Sequence, residues 1–72
     1  MKKEIMVKDI DCPNCAAKIE RRIQKLDHVT SASLNFIGEV LTIEAESEHM
    51  KKILSEAEEI IYDVEPDAVI EY

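Results

Sequence analysis

The chain has 72 residues, of which 46% are hydrophobic and 35% charged, and its formal net charge is −7. A chain of this length forms one small domain, assigned to residues 1–72, and it is too small to enclose a large substrate cavity. The negative charge argues against a nucleic-acid-binding protein, and no apolar run reaches the roughly 20 residues of a membrane span.

The first half of the chain predicts a strand, a helix and a second strand. Residues 3–9 alternate, with Ile5 and Val7 on one face, which predicts a strand. A helix is predicted from Pro13 to about Leu26, because proline suits the first helical position. Its apolar residues recur at helical spacing and are Ala16, Ile19, Ile23 and Leu26. Residues 31–36 alternate again, and the side chains predicted to face inward are Ala32, Leu34 and Phe36.

The second half predicts a strand, a helix and a weaker strand. Gly38 and Glu39 are predicted to form a hairpin turn. The returning strand carries inward-facing Leu41, Ile43 and Ala45. Ser47 is predicted to cap the second helix, with Glu48 at its positive end. The buried face of this helix is predicted to be Met50, Ile53, Leu54, Ala57 and Ile60 or Ile61. The tail, residues 63–72, is predicted to be an edge strand because it contains Pro66, and its apolar residues are Val64, Ala68 and Ile70.

The predicted order β-α-β-β-α-β indicates an α+β fold of the ferredoxin-like kind. Right-handed crossovers then give a four-stranded antiparallel sheet with both helices on one face. In this topology residues 12–15, the turn at 38–39 and residues 61–63 lie at one end of the domain. His28 and His49 belong to the opposite end, and we expect neither of them to bind metal.

The segment Asp11-Cys12-Pro13-Asn14-Cys15 contains both cysteines of the chain. At a helix start, the dipole and the unpaired amide hydrogens favour the thiolate forms of Cys12 and Cys15. A C-x-x-C pair without a signal-peptide pattern indicates a reducing compartment and a metal or redox role. We therefore expect a soluble cytoplasmic domain, free-standing or the cytosolic part of a membrane protein. A closed zinc site needs four ligands, and the chain offers no second such pair, so an exchangeable site is predicted.

Asp11 bears on which metal ion the cysteines bind. Monovalent copper is satisfied by two sulfurs, whereas zinc, cadmium or lead prefers more ligands and accepts a carboxylate oxygen beside sulfur. The predicted metal ligands are therefore Cys12, Cys15 and Asp11, with Zn²⁺, Cd²⁺ or Pb²⁺ favoured and Cu⁺ as the alternative. The other interpretation of Asp11 is that it only places negative charge near a helix N-terminus.

The chain resembles the heavy-metal-associated domains of metallochaperones and of the cytosolic N-termini of metal-pumping P-type ATPases. The resemblance covers the whole chain and includes the C-x-x-C, Leu26-Asp27-His28-Val29, the strand around Asn35 and Tyr62-Asp63-Val64. The Asp-Cys-x-x-Cys form looks like the zinc, cadmium and lead branch. Asp9 and Ile61 stand where the family has glycine, and Ile10 takes the position of a buried methionine. The resemblance implies a metal-binding domain that is not itself an enzyme, with no catalytic residues.

Two functions of different classes follow from these residues. In the first, the domain binds the ion and passes it by ligand exchange to a metal-transporting ATPase or to other domains of one. The basic helix face predicted to dock this partner is Lys18, Arg21, Arg22 and Lys25. In the second, Cys-Pro-x-Cys serves a glutaredoxin-like thiol–disulfide oxidoreductase. The first is favoured because the hairpin after the first helix breaks the thioredoxin-like strand order.

The remaining predictions concern the surroundings of the site. Tyr62 is a candidate to shield the metal loop, although a partly buried packing role fits it equally well. Acids at the same end that are candidates to lend an oxygen, or simply to be solvated, are Glu39, Glu58, Glu59 and Asp63. We expect a monomer without metal, and a metal-bridged dimer of two C-x-x-C loops is a further hypothesis.

Overall fold

The computed structural model describes residues 1–71 and contains six elements in the predicted order. They are β1 (Lys2–Lys8), α1 (Pro13–Gln24), β2 (Val29–Asn35), β3 (Val40–Ala45), α2 (Ser47–Val64) and β4 (Val69–Glu71). The strands form one sheet in the order β2-β3-β1-β4, in which every neighbouring pair is antiparallel. The predicted ferredoxin-like α+β fold is thereby confirmed. Neither helix within residues 1–71 is long and apolar enough to cross a membrane.

The core lies between one face of the sheet and the two helices. Along β1 and β3 every second side chain points into the core, and the apolar faces of the two helices pack against these side chains. Its most completely buried large side chains are Ile5, Val7, Ile19, Ile23, Leu41, Ile43 and Ile61. Burying one such side chain contributes about 1.5–3 kcal/mol. Ile19 is 0% exposed, so Ile19→Ala is expected to cost roughly 2–5 kcal/mol of folding stability.

Two side chains of α1 fasten this helix to strand β2 at the edge of the sheet. The Glu20 carboxylate accepts a hydrogen bond from the backbone N–H of Leu34 at 2.7 Å. The amide nitrogen of Gln24 donates to the carbonyl of Ala32 at 2.8 Å. Both bonds use backbone groups that an edge strand would otherwise leave open to a second chain. They also fix the position of the helix whose first turn contains Cys15.

Helix α2 differs from its prediction at both ends. Its capping residue is Glu46, with extended φ and ψ of −68° and 142°, and Ser47 is already helical, so the prediction that Ser47 caps the helix was wrong. Glu48 does lie in the first turn, as predicted. At the other end the helix continues through Val64, because the apolar residues of the helical stripe continue that far.

The last strand is consequently shorter than predicted. It spans only Val69–Glu71 and pairs with β1 at the edge of the sheet, while residue 72 of the predicted strand lies outside the described residues. Pro66 lies in the turn that separates α2 from β4. Ala68 is buried, and the alternative of Ile60 or Ile61 is resolved because both are buried.

The β2–β3 connection is a turn over residues 36–39. The Asn35 side-chain oxygen accepts the N–H of Gly38 at 3.0 Å, and this ends β2 at Asn35. Phe36 therefore lies in the turn, half-buried, and the prediction that it faces inward from the strand was wrong. A Cβ on Gly38 would lie only 3.2 Å from the Asn35 amide nitrogen, so a larger residue at position 38 would crowd the Asn35 side chain. Within this turn the residue with positive φ is Glu39, at 57°.

Candidate metal centre

The loop between β1 and α1 presents the two cysteines at one end of the domain. The chain leaves the sheet at Asp9, whose φ of 66° lies in the left-handed region that aspartate tolerates better than most residues. Ile10 then turns inward and packs, half-buried, against the core. Asp11 is exposed, while Cys12 and Cys15 are partly exposed. The packing of Ile10 against the core agrees with the expectation that this residue takes the position of a buried methionine.

Glu39 in the hairpin turn holds the start of this loop. Its backbone carbonyl accepts the N–H of Val7 at 2.9 Å, and its carboxylate accepts the N–H of Asp9 at 3.4 Å. The hairpin turn and the cysteine loop therefore lie side by side, as the topology predicted. Because the Glu39 carboxylate is hydrogen-bonded to the loop backbone, Glu39 acts as a brace for the loop.

Cys12 occupies the N-cap of α1, with extended backbone angles, and Pro13 follows at the first helical position. Its carbonyl accepts the N–H of Ala16 at 3.1 Å, while its side chain makes no capping hydrogen bond. The nearby N–H of Cys15, the Cys15 thiol and the N–H of Asn14 nevertheless stabilise negative charge on the Cys12 sulfur, so the pKa of Cys12 is lowered. Cys12 is thus the thiol that ionises first.

Cys15 shows the opposite shift. Its pKa is raised, first because its thiol donates to the Cys12 sulfur, then by partial desolvation and by the charge of Cys12. The negative charge of Glu65 adds to the rise in the pKa of Cys15 and partly offsets the fall in that of Cys12, and Lys18 slightly lowers the pKa of Cys15. Between the two pKa values the site therefore holds one thiolate, on Cys12, and one thiol, on Cys15, with an acidic residue nearby.

Glu65 is the site neighbour that the sequence analysis missed. It directly follows α2 and precedes Pro66, at the same end of the domain as the cysteines. Of the acids predicted at this end, Asp63 instead forms an ion pair with Arg22 at 2.8 Å. The position of Glu65 in the connection after α2 was the signal available in the sequence. That signal was obscured because residues from 63 onward were predicted to be strand.

The predicted third ligand, Asp11, adjoins Cys12 in sequence on the exposed side of the loop. Among residues 1–71, no set of three donors that includes the cysteines has all its ligand atoms within 4.8 Å of one another. Coordination by Asp11 would therefore require rotation of its side chain, which its exposure allows. Tyr62 lies on α2 and is 45% exposed. Its proposed role in shielding the metal loop stays a prediction.

The two histidines lie at the other end of α1, as predicted. This helix has 12 residues and thus separates the two ends by about 18 Å. His28 and His49 meet there in a parallel stack, with ring centroids 3.7 Å apart and planes 6° apart. Both rings border a cavity of about 260 Å³ that also includes Lys25, Lys52 and Glu56. Their contact was not predicted.

A βαββαβ domain with two thiols at the exposed start of its first helix has the architecture of a small domain that binds soft metal ions. Comparison with known proteins agrees with this class. The model of the heavy-metal-associated domain matches residues 4–69, and the chain belongs to this family.

The chain is similar in sequence to part of a metal-transporting ATPase. The cadmium, zinc and cobalt-transporting ATPase of Bacillus subtilis (strain 168) is 24% identical over 70 residues, which are 97% of this chain and 10% of that protein. The chain thus spans about a tenth of the length of this curated relative.

Two solved structures show the same fold. A CsoZ metallochaperone superimposes with a TM-score of 0.78 and 21% identity, over 100% of this chain and 97% of the other. The second is the N-terminal domain of a potential copper-translocating P-type ATPase from Bacillus subtilis in its Cu(I)-loaded state. It superimposes with a TM-score of 0.72 and 22% identity, over 97% of this chain and 82% of the other.

Proposed function

We propose that this chain binds a thiophilic divalent cation, Zn²⁺, Cd²⁺ or Pb²⁺, through Cys12, Cys15 and Asp11 and passes it on by ligand exchange. It would do so as the cytosolic metal-binding domain of a metal-exporting P-type ATPase or as a metallochaperone. The observation that carries the proposal is the cysteine pair at the start of α1, where backbone N–H groups lower the pKa of Cys12 and an aspartate adjoins it. A heavy-metal-associated domain of this kind binds metal and is not catalytic by itself.

The preference for a divalent ion is supported by the charge around the thiols. A divalent cation gains more than a monovalent one from each nearby carboxylate, and Asp11 and Glu65 both lie at this end. Zinc and cadmium also accept oxygen beside sulfur, whereas Cu⁺ is satisfied by two sulfurs. A relative matched over 97% of this chain bears a name that specifies cadmium, zinc and cobalt transport.

Copper is the second candidate ion. Two cysteines on an exposed loop suit near-linear coordination of Cu⁺ without any third ligand. A similar fold was determined in a Cu(I)-loaded state for a potential copper-translocating ATPase domain. The contribution of Asp11 to binding is therefore the property that separates the two ions.

Transfer by ligand exchange is supported by the openness of the site. Two partly exposed sulfurs leave coordination positions through which an incoming thiolate can attack the bound ion. The thiol–disulfide oxidoreductase is disfavoured, because the chain belongs to a metal-binding family and α1 is followed by the antiparallel hairpin of β2 and β3.

The basic face of α1 is the surface we propose for docking. Lys18, Arg21 and Lys25 are exposed, whereas Arg22 is already paired with Asp63. Reversal of Arg21 to glutamate is expected to slow metal transfer to an acidic partner domain without changing metal affinity. Transfer at an unchanged rate in stopped-flow measurements would remove the docking role.

The proposal is tested by anaerobic titration of the reduced protein with Cd²⁺, Zn²⁺ and Cu⁺, beside Asp11→Ala. The control is Asp27→Ala, which makes the same change of charge in the loop after α1, at the end remote from the cysteines. We expect one ion per monomer at the cysteines. Loss of Asp11 should weaken Cd²⁺ and Zn²⁺ binding by about tenfold, at the lower end of the range for an auxiliary residue of a metal site, and leave Cu⁺ binding unchanged.

Two results would contradict parts of the proposal. Equal Cd²⁺ affinity in Asp11→Ala and in the unaltered chain would make Asp11 a bystander and favour copper. Reduction of a mixed glutathione disulfide by the metal-free protein at an enzymatic rate would instead favour the oxidoreductase.

A further inference from the structure

Three donor side chains meet at the histidine end, where β3 passes into α2. The carboxylates of Glu46 and Glu48 and the imidazole of His49 each offer a ligand atom, and these atoms all lie within 4.8 Å of one another. At the cysteine end, no three donors among the described residues lie this close together. The set contains nitrogen and oxygen donors and no sulfur.

The backbone brings these residues together at the first turn of the helix. Glu46 is the extended residue before α2, and its carbonyl accepts the N–H of His49 at 3.0 Å. This bond closes the turn and places residues 46 and 49 side by side. Glu48 reaches the same point, since its carboxylate lies 3.4 Å from Nε2 of His49.

Stabilisation of the helix dipole does not account for the whole cluster. Carboxylates are commonly favourable at a helix N-terminus, but the Glu46 side chain makes no capping hydrogen bond to the helix backbone. An imidazole is not needed to stabilise this positive end, whereas its ring nitrogen is a common metal ligand. His49 is therefore the residue that points to a cation.

The ring of His49 is held in place by His28. The parallel stack at 3.7 Å restricts the plane of the His49 ring, whose side chain is 31% exposed. His28 itself has a φ of 71°, a left-handed conformation that is unfavourable for a non-glycine residue. His28 is not one of the three clustered donors, so it acts as a positioning residue for His49.

The positive charges around the cluster limit its affinity for a cation. The two carboxylates attract a cation, while Lys25 and Lys52 border the adjoining cavity together with Asp27 and Glu56. The ammonium group of Met1 donates to the carbonyl of Ala45 at 2.7 Å, next to Glu46, and adds positive charge. The cluster suits an ion held more loosely than at two thiolates.

We propose that Glu46, Glu48 and His49 form a second metal site, for a borderline divalent cation such as Zn²⁺, at the end of the domain opposite the cysteines. Imidazole and carboxylate donors suit Zn²⁺ and its neighbours, and without a thiolate they do not select Cu⁺. The site does not depend on the cysteine centre, which lies about 18 Å away along α1.

The experiment removes the cysteine centre first. The Cys12→Ser, Cys15→Ser double variant is titrated with Zn²⁺ and followed by two-dimensional ¹H–¹⁵N NMR and by the imidazole proton signals. We expect one Zn²⁺ per monomer, with the largest shifts at residues 46–49 and in the rings of His28 and His49. The same variant titrated with Cu⁺ should show no shift at these residues.

Two further substitutions in the cysteine-free background identify the ligands. His49→Ala should weaken Zn²⁺ binding by at least about tenfold, because a direct ligand contributes no less than the residues that orient ligands. His28→Phe keeps a flat ring for the stack but has no donor nitrogen, so it should retain binding within about threefold. Preserved dispersion of the amide signals in each variant confirms that it is folded.

The proposal is overturned if the cysteine-free variant shows no saturable Zn²⁺ shifts at residues 46–49. Equal affinity in His49→Ala, or loss of binding in His28→Phe, would show that the stated donor set is wrong. None of these results bears on binding at Cys12 and Cys15, so the proposed function is judged separately.

Discussion

The two ends of the domain use the same structural device with different chemistry. At one end the N-terminus of α1 carries Cys12, and at the other the N-terminus of α2 carries Glu46 and Glu48. The positive end of α1 favours ionised thiolate, the ligand form for soft metal ions. The positive end of α2 is offset by carboxylates beside an imidazole, which are harder donors. A helix start thus organises both clusters, and the side chains placed there decide which ion each can bind.

The two ends also differ in how far their donors are assembled. The glutamate and histidine donors already lie within 4.8 Å of one another, and stacking restricts one of them. The cysteines lie partly exposed on a loop, and Asp11, the third ligand that we propose, would have to move its side chain to join them. An assembled set of weaker donors and an open set of stronger donors should therefore respond differently to substitution, pH and charge.

The largest effect should come from removing one sulfur. Cys12→Ser or Cys15→Ser should weaken Cd²⁺ binding about a hundredfold, because the binding free energy of a four-ligand zinc site divided by its ligands gives this order of magnitude. The measurement is competition with a chelator of known affinity. The variant Ser55→Ala, on the exposed surface of α2, serves as the control. A loss of less than about tenfold would show that the cysteines are not the principal ligands.

The pH dependence at the cysteine end should show two regimes. The pKa of Cys12 is lowered and that of Cys15 is raised, so between the two values only Cys15 releases a proton when metal binds. Affinity for Cd²⁺ should then rise about tenfold per pH unit, more steeply below the pKa of Cys12, and level off above that of Cys15. Titrations across this range, with proton release measured by calorimetry in different buffers, test the slope. Release of two protons throughout would contradict the separation of the two pKa values.

A smaller effect is expected from the charge near the thiols. Glu65→Gln should lower the pKa of both cysteines, because Glu65 raises them, and should reduce the attraction for a divalent ion more than for Cu⁺. At an exposed site such an effect is small, so the preference for Cd²⁺ over Cu⁺ should fall about twofold. Glu4→Gln, an equal change of charge on exposed β1, is the control. An unchanged ratio of affinities would remove Glu65 from the site.

The last prediction concerns folding stability and compares the backbones of the two ends. Asp9→Ala should destabilise the domain by about 1 kcal/mol, because alanine tolerates a φ of 66° less well than aspartate, and Asp9→Gly should not. At the other end His28→Gly relieves a similar φ but removes the ring stack, so no gain is expected. Urea denaturation measures each free energy of unfolding. Equal stability of Asp9→Ala and Asp9→Gly would show that the left-handed turn at residue 9 relaxes without cost.

Much of the fold was predictable because it rests on local periodicity. Alternation around Ile5 and Ile43 and helical spacing around Ile19 and Ile53 report which face of each element is buried, and all four are buried. The ends of elements were less predictable. The end of α2 depended on whether residues 63 and 64 continue a helix or begin a strand, and the packing of Val64 against the core decided it.

The element order, the buried faces and the cysteine pair at a helix start could be predicted from the amino-acid sequence, because each depends on residues close together in the chain. Which distant groups meet is set by the folded chain as a whole. It placed Glu65 near the thiols, paired Arg22 with Asp63 across the helices, and stacked His28 on His49. These contacts depend on how the helices end and lie over the sheet, which the packing of the whole core sets and no local pattern encodes.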